Sequence, residues 1–148
     1  GGYTGVMEAV SRGANESGGH VIGVTCDRIE QYARRAGPNP WVMEEIRYPT
    51  LRERFYHLVF HCDAVIALTG GVGTLSEIAL SWSLVQTGEI APKPMILIGR
   101  TWQLTMNTFL MNSEGYVNGE HQQLLTLVDD EIRAIWHLRQ AFHDTVQR

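Results

Sequence analysis

The chain has 148 residues, with 12 Lys and Arg against 16 Asp and Glu for a net charge of −4, and is 44% hydrophobic and 19% charged. That length allows one domain with a full core, and the composition excludes wholesale disorder. The acidic balance argues against nucleic-acid binding through a basic face, and no apolar run approaches the roughly 20 residues of a membrane span.

The elements follow in chain order. Residues 4–17 read as a helix, with Val6, Ala9, Val10 and Ala14 at helical spacing facing inward and Gly18-Gly19 as its stop. Residues 20–26 are rich in β-branched side chains and predict a short buried strand. Residues 27–40 mix charges with Gly37, Pro38 and Pro40 and read as a surface loop, and residues 43–48 as a short strand. Thr50-x-x-Glu53 is a capping box opening a helix whose apolar stripe is Leu51, Phe55, Leu58, Val59 and Cys62. Residues 64–68 form a wholly apolar strand, of the kind buried on both faces of a parallel sheet. A helix over 75–87 then turns Leu75, Ile78, Ala79, Trp82 and Val85 inward and stops at Gly88. Residues 94–98 form the next strand, 101–112 a helix, 124–128 a last strand and 129–144 a closing helix. Alternating strands and helices, without repeats or a long linker, predict one α/β domain: a doubly wound parallel sheet in three layers, α/β/α.

The informative stretch is residues 64–77, AVIALTGGVGTLSE. It joins a buried strand through Gly70, Gly71, Gly73 and Thr74 directly to a helix, at the strand end where doubly wound sheets bind ligands. Glycine backbone can approach an anion closely, and the N–H groups of Gly73, Thr74 and Leu75 would point out of a positively polarised helix N-terminus. A phosphate suits such a place, and the Thr74 hydroxyl adds a donor. A tight turn that binds nothing is the plainer reading, which three glycines within four residues weigh against. No Lys follows the last glycine, as a Walker loop needs, and the spacing is not G-x-G-x-x-G. Gly1-Gly2-x-x-Gly5 is a second glycine-rich entry into a helix, so a mononucleotide, with its phosphate at one turn and its larger part at the other, fits both.

Two side chains are candidates for chemistry. Glu77 completes Thr74-x-x-Glu77, a second capping box, in which it would only reach back to the Thr74 N–H. A carboxylate beside a phosphate site makes chemical sense where positive charge develops, as in cleavage of a nucleotide's N-glycosidic bond through an oxocarbenium-like sugar. Arg54 lies at the edge of its helix's apolar stripe, either as a snorkelling surface residue or as a group that orients Glu77 or meets substrate. His57 and His61 are four apart, without the Glu of an H-E-x-x-H metal site, and read as solvated or sheet-facing. Cys62 and Trp82 read as core, Arg52 as solvated, and Glu8 as an ordinary first-turn acid. Cys26 and Cys62 are the two cysteines, without metal-ligand spacing. With nothing in the opening residues that reads as a secretory leader, a reduced cytoplasmic setting is expected.

TGGVGTLSE at 69–77, with Arg54 upstream, resembles the LOG family, once labelled lysine decarboxylase-like, whose signature is P-G-G-x-G-T-x-x-E with an upstream Met-x-x-Arg-Lys. The opening GGYTGVMEAVSRGA is similar to that family's glycine-rich G-G-x-x-G-x-M segment. The resemblance implies a Rossmann-like homodimer that hydrolyses nucleoside 5′-monophosphates to ribose 5-phosphate and free base, including N6-modified adenines of cytokinin type, with no metal or other cofactor. By position Arg54 and Glu77 match the catalytic pair, Gly70, Gly71, Gly73 and Thr74 the phosphate loop, and Gly2, Gly5 and Met7 the nucleotide-binding first segment. Thr69 replaces the motif's Pro, Leu51 its Met and Phe55 its Lys. The family's first strand, helix and second strand have no counterpart here; that first strand sits mid-sheet, so its absence would leave a central pairing gap, and this chain is expected to be a piece of a longer product. A nucleotide-binding or sensor protein without catalysis is the alternative that Phe55 motivates. Decarboxylation through a Schiff base is discounted, since Lys93 is the only lysine.

Overall fold

The computed structural model describes residues 1–34 and 37–146, which form two compact units, Gly1–His61 and Cys62–Arg148. Every strand pairs in parallel, in a two-stranded sheet β1-β2 and a three-stranded sheet β3-β4-β5. The α/β class with parallel strands expected from the alternation of elements is the class observed, in the Rossmann-like form implied by the resemblance.

The second unit runs β3 (Val65–Ala67), α4 (Val72–Gln86), β4 (Met95–Ile98), α5 (Arg100–Met111), α6 (Gly119–Gln122), β5 (Thr126–Val128) and α7 (Glu131–Val146). Side chains alternate across a strand, so central β4 has two apolar faces to bury. Met95 and Leu97 pack with Ala67 against Ile78 and Trp82 of α4 and Trp102 and Met106 of α5. Ile96 and Ile98 pack with Val128 against Ala134 of α7. Helices thus cover both faces of this sheet, in three layers. Edge strand β3 is less buried than its apolar run suggests: Ile66 is 46% exposed, because α7 packs over β4 and β5 and stops short of it.

The first unit runs α1 (Val6–Glu16), β1 (Ile22–Cys26), α2 (Asp27–Ala33), β2 (Glu44–Tyr48) and α3 (Leu51–Phe60). Three expectations change here. The charged stretch after Cys26 is helix α2, not a loop, because its acids have partners: Asp27 and Glu30 both accept hydrogen bonds from Arg47 of β2, at 2.7 and 2.8 Å. Residues 35 and 36, also within the expected loop, lie outside the described residues. Helix α1 stops as expected, at Gly18 with φ +78°, but presents the opposite face. Val10 is 53% exposed, and it is Ser11 that is buried, where its hydroxyl accepts from Asn39 Nδ2 at 3.2 Å. The same amide donates to the Gly2 and Tyr3 carbonyls, both at 3.0 Å, so a polar hub rather than apolar area selects the inward face. In α3, Thr50 caps as predicted and Val59 is buried, yet Leu51 is exposed and Arg54 is buried in its stead.

Candidate functional site

The glycine turn lies between β3 and α4. Helix α4 begins at Val72, three residues before the expected start, with Gly71 as N-cap at φ −100°. None of the turn glycines has a positive φ, so they serve space rather than torsion. A Cβ on Gly70 would lie 2.8 Å from Thr74 Cβ and closer still to its hydroxyl, so only glycine lets the Thr74 side chain fold against the turn. A Cβ on Gly71 or Gly73 would meet nothing within 4 Å. The turn is open, and residues 69–73 are all exposed.

Leu75 N–H donates to the Gly71 carbonyl at 3.0 Å and so closes the first helical turn. The amides left without an acceptor among the described residues are therefore those of Val72, Gly73 and Thr74; Val72 takes the place expected of Leu75. No side chain caps this end and no acid stands in its first turn, so the partial positive charge of a 15-residue helix is uncompensated there. Val72 was missed because Gly73 reads as a turn residue although it takes helical backbone. No residue order signals this start, because glycine occurs on either side of a helix boundary.

Glu77 is half-buried on the second turn of α4. Thr74 stands inside the helix rather than at its cap, so the capping-box reading of Glu77 fails. Residues three and four apart share a helix face, which puts Glu77 one turn below Thr74 and Gly73. The start of the turn is held from behind: Trp102 Nε1 of α5 donates to the Leu68 carbonyl at 2.9 Å. Leu75 and Ala79, expected inward, are exposed, while Ile78, Trp82 and Val85 are buried as predicted.

The first unit assembles the other candidates. Arg54 is not a snorkelling surface residue. It is 5% exposed, and its Nε donates to the Val24 carbonyl of β1 at 2.9 Å. A Cβ on Gly1 would lie 3.0 Å from Arg54 Nη2 and against the sulfur of Met7, so the chain's opening glycine, Met7 and the guanidinium meet at one place. Gly2 is buried with a packing reason, since a Cβ there would fall 3.1 Å from Gly23 Cα. Gly5, with φ +73° and open space beside it, is the N-cap of α1.

Other titratable groups are engaged elsewhere. Lys93 Nζ donates to the Cys62 carbonyl at 2.6 Å, at the edge of the sheet where β3 and β4 begin and away from the turn where β3 ends. Trp82 is core, with its indole N–H on the His121 carbonyl. Among the described residues no three His, Cys, Asp or Glu side chains are grouped to hold a metal. His57 and His61 stack at 4.6 Å between ring centres, and His57 Nδ1 is hydrogen-bonded to the Tyr48 hydroxyl at 2.9 Å. Burial, reinforced by His61, pushes the His57 pKa below the usual imidazole value. The unfolded chain then takes up this proton first, so the neutral ring's contribution is whole above about pH 6.5 and is lost as pH falls further. Urea denaturation at roughly pH 7.5 and roughly pH 5.5 should show stability declining toward acid, and His57→Gln should flatten that decline.

The fold and the turn define an α/β protein of Rossmann type with an open helix N-terminus at the end of its strand β3. The sequence matches the family model described as possible lysine decarboxylase over residues 7–138, and the chain belongs to this family, the LOG family. It is 33% identical over 135 residues to the cytokinin riboside 5′-monophosphate phosphoribohydrolase LOG5 of Arabidopsis thaliana, covering 89% of this chain and 49% of that protein. It is 31% identical over 145 residues to the cytokinin riboside 5′-monophosphate phosphoribohydrolase of Mycobacterium tuberculosis, covering 90% of this chain and 73% of that protein. The chain thus spans about half the length of the plant relatives. Among solved structures, the molybdenum cofactor carrier protein MCP from Chlamydomonas reinhardtii shares the fold, with a TM-score of 0.66 at 24% identity, covering 97% of this chain and 75% of that one. No helix among the described residues is long and apolar enough to cross a membrane.

Proposed function

We propose that the protein hydrolyses the N-glycosidic bond of a purine nucleoside 5′-monophosphate, AMP or an N6-modified cytokinin ribotide, releasing the base and ribose 5-phosphate. The observation that carries this reading is the set of three unsatisfied amides of Val72, Gly73 and Thr74 at an open turn, with Glu77 one helical turn away. The phosphate accepts from these amides and the Thr74 hydroxyl, where the helix field favours a dianion. As the bond from C1′ to the base nitrogen breaks, positive charge grows on the ribosyl carbon, and the Glu77 carboxylate stabilises it and aligns the attacking water. Water adds its oxygen to C1′ and its proton goes to the solvent, while the departing base nitrogen is protonated. Arg54 is the second member of the catalytic pair, and Gly2, Gly5 and Met7 belong to the nucleotide-binding part. The names of the Arabidopsis and Mycobacterium relatives support the same reaction class. The reading includes a cytoplasmic homodimer and needs no cofactor.

Incubation with AMP and with an N6-alkylated AMP, followed by chromatography for free base, tests this. Release of base with equimolar ribose 5-phosphate is expected. A nucleotide that binds and is recovered unchanged would replace the reading with a non-catalytic nucleotide-binding or sensor role, and the absence of binding would remove both.

A further inference from the structure

We propose that Arg100 is a second contact for the substrate's phosphate, reaching the glycine turn from the end of the neighbouring strand; this rests on the reading of the turn as a phosphate site. Strands β3 and β4 are parallel neighbours in the register Ala67↔Leu97, so the segments that follow them emerge side by side. The approach is close. The Cβ position of Gly99 lies 3.9 Å from Thr69 Oγ1, and Trp102 reaches back to the Leu68 carbonyl. Gly99, at φ +101°, turns the chain into α5 so that Arg100 is the first residue of that helix.

Nothing within the fold accounts for an arginine there. The Arg100 side chain is exposed and makes no hydrogen bond or ion pair with the described residues. Its positive charge sits at a helix N-terminus, where the macrodipole disfavours a cation. An anion lying across the starts of α4 and α5 reverses the sign of that interaction, since both helix ends and the guanidinium then face a negative charge. The amides of the turn are neutral donors, and a phosphate dianion held by them alone keeps its charge unmatched. Among the described residues of this unit, the lysine and the other arginines are placed elsewhere. Lys93 is bound to the Cys62 carbonyl at the opposite edge of the sheet, Arg133 pairs with Asp129 at 3.5 Å, and Arg139 lies far along α7.

Calorimetric titration of the whole chain with ribose 5-phosphate, AMP and adenosine distinguishes the outcomes. Arg100→Gln should weaken ribose 5-phosphate and AMP by about tenfold or more, the loss of one charge-assisted contact, and leave adenosine within about twofold. Arg100→Lys should recover part of that loss. In turnover the KM for AMP should rise while kcat changes little, and Arg139→Gln should behave as wild type. If the wild type binds ribose 5-phosphate and Arg100→Gln binds it equally well, the role of Arg100 is overturned and the turn keeps its phosphate. If the wild type binds neither phosphorylated compound, the phosphate reading falls and takes Arg100 with it.

Discussion

Glu77→Gln should reduce base release from AMP by about three orders of magnitude or more while nucleotide affinity stays within a few-fold. The carboxylate acts on charge that exists only in the transition state, so its neutral isostere forfeits stabilisation of the cation without disturbing ground-state contacts. The substitution is structurally mild. Glu77 is half-buried on the second turn of α4, and glutamine matches it in volume and helix propensity. Steady-state assays of base release, with thermal melts by circular dichroism as control, measure it. Retention of activity by a folded Glu77→Gln protein would remove the carboxylate from the mechanism.

Substitutions at two glycines of one turn should differ in their effect on stability and agree in their effect on binding. At Gly73 an added methyl enters open space on a backbone that is already helical, so Gly73→Ala should leave stability unchanged or raise it by up to about 1 kcal/mol. The same methyl occupies the mouth a phosphate must approach, and affinity for ribose 5-phosphate should fall at least tenfold. At Gly70 the methyl collides with Thr74, whose short branched side chain cannot swing aside without turning the hydroxyl out of the turn. Gly70→Ala should therefore cost roughly 1–3 kcal/mol, the range for overpacking, and lose the phosphate as well. Urea denaturation with parallel titrations reads both quantities. A Gly73→Ala protein that binds ribose 5-phosphate as well as wild type would show that the phosphate does not use this face of the turn.

What the sequence made legible depended on how local its cause was. The strand–turn–helix of residues 64–77 and the cap at Thr50 are written in adjacent residues, and both were placed from them. The buried faces were harder, because they depend on partners distant in sequence. Helix α1 turns Ser11 rather than Val10 inward on account of Asn39, more than twenty residues away, and the charged α2 exists because Arg47 reaches it from β2. Arg54 sat at the margin of a stripe on the helical wheel, yet burial becomes tolerable once the Val24 carbonyl accepts from it. Even in the turn, the starting residue of α4 shifted by three, since a glycine says nothing about which side of a helix boundary it occupies.

The bond from Trp102 to the Leu68 carbonyl has a practical corollary. An indole whose N–H is tied to the peptide just ahead of the glycine turn senses the electric field of an anion held by the amides of Val72, Gly73 and Thr74. The share of the chain's four-tryptophan fluorescence that Trp102→Phe removes supplies a label-free optical gauge of occupancy, with no dye or tag attached.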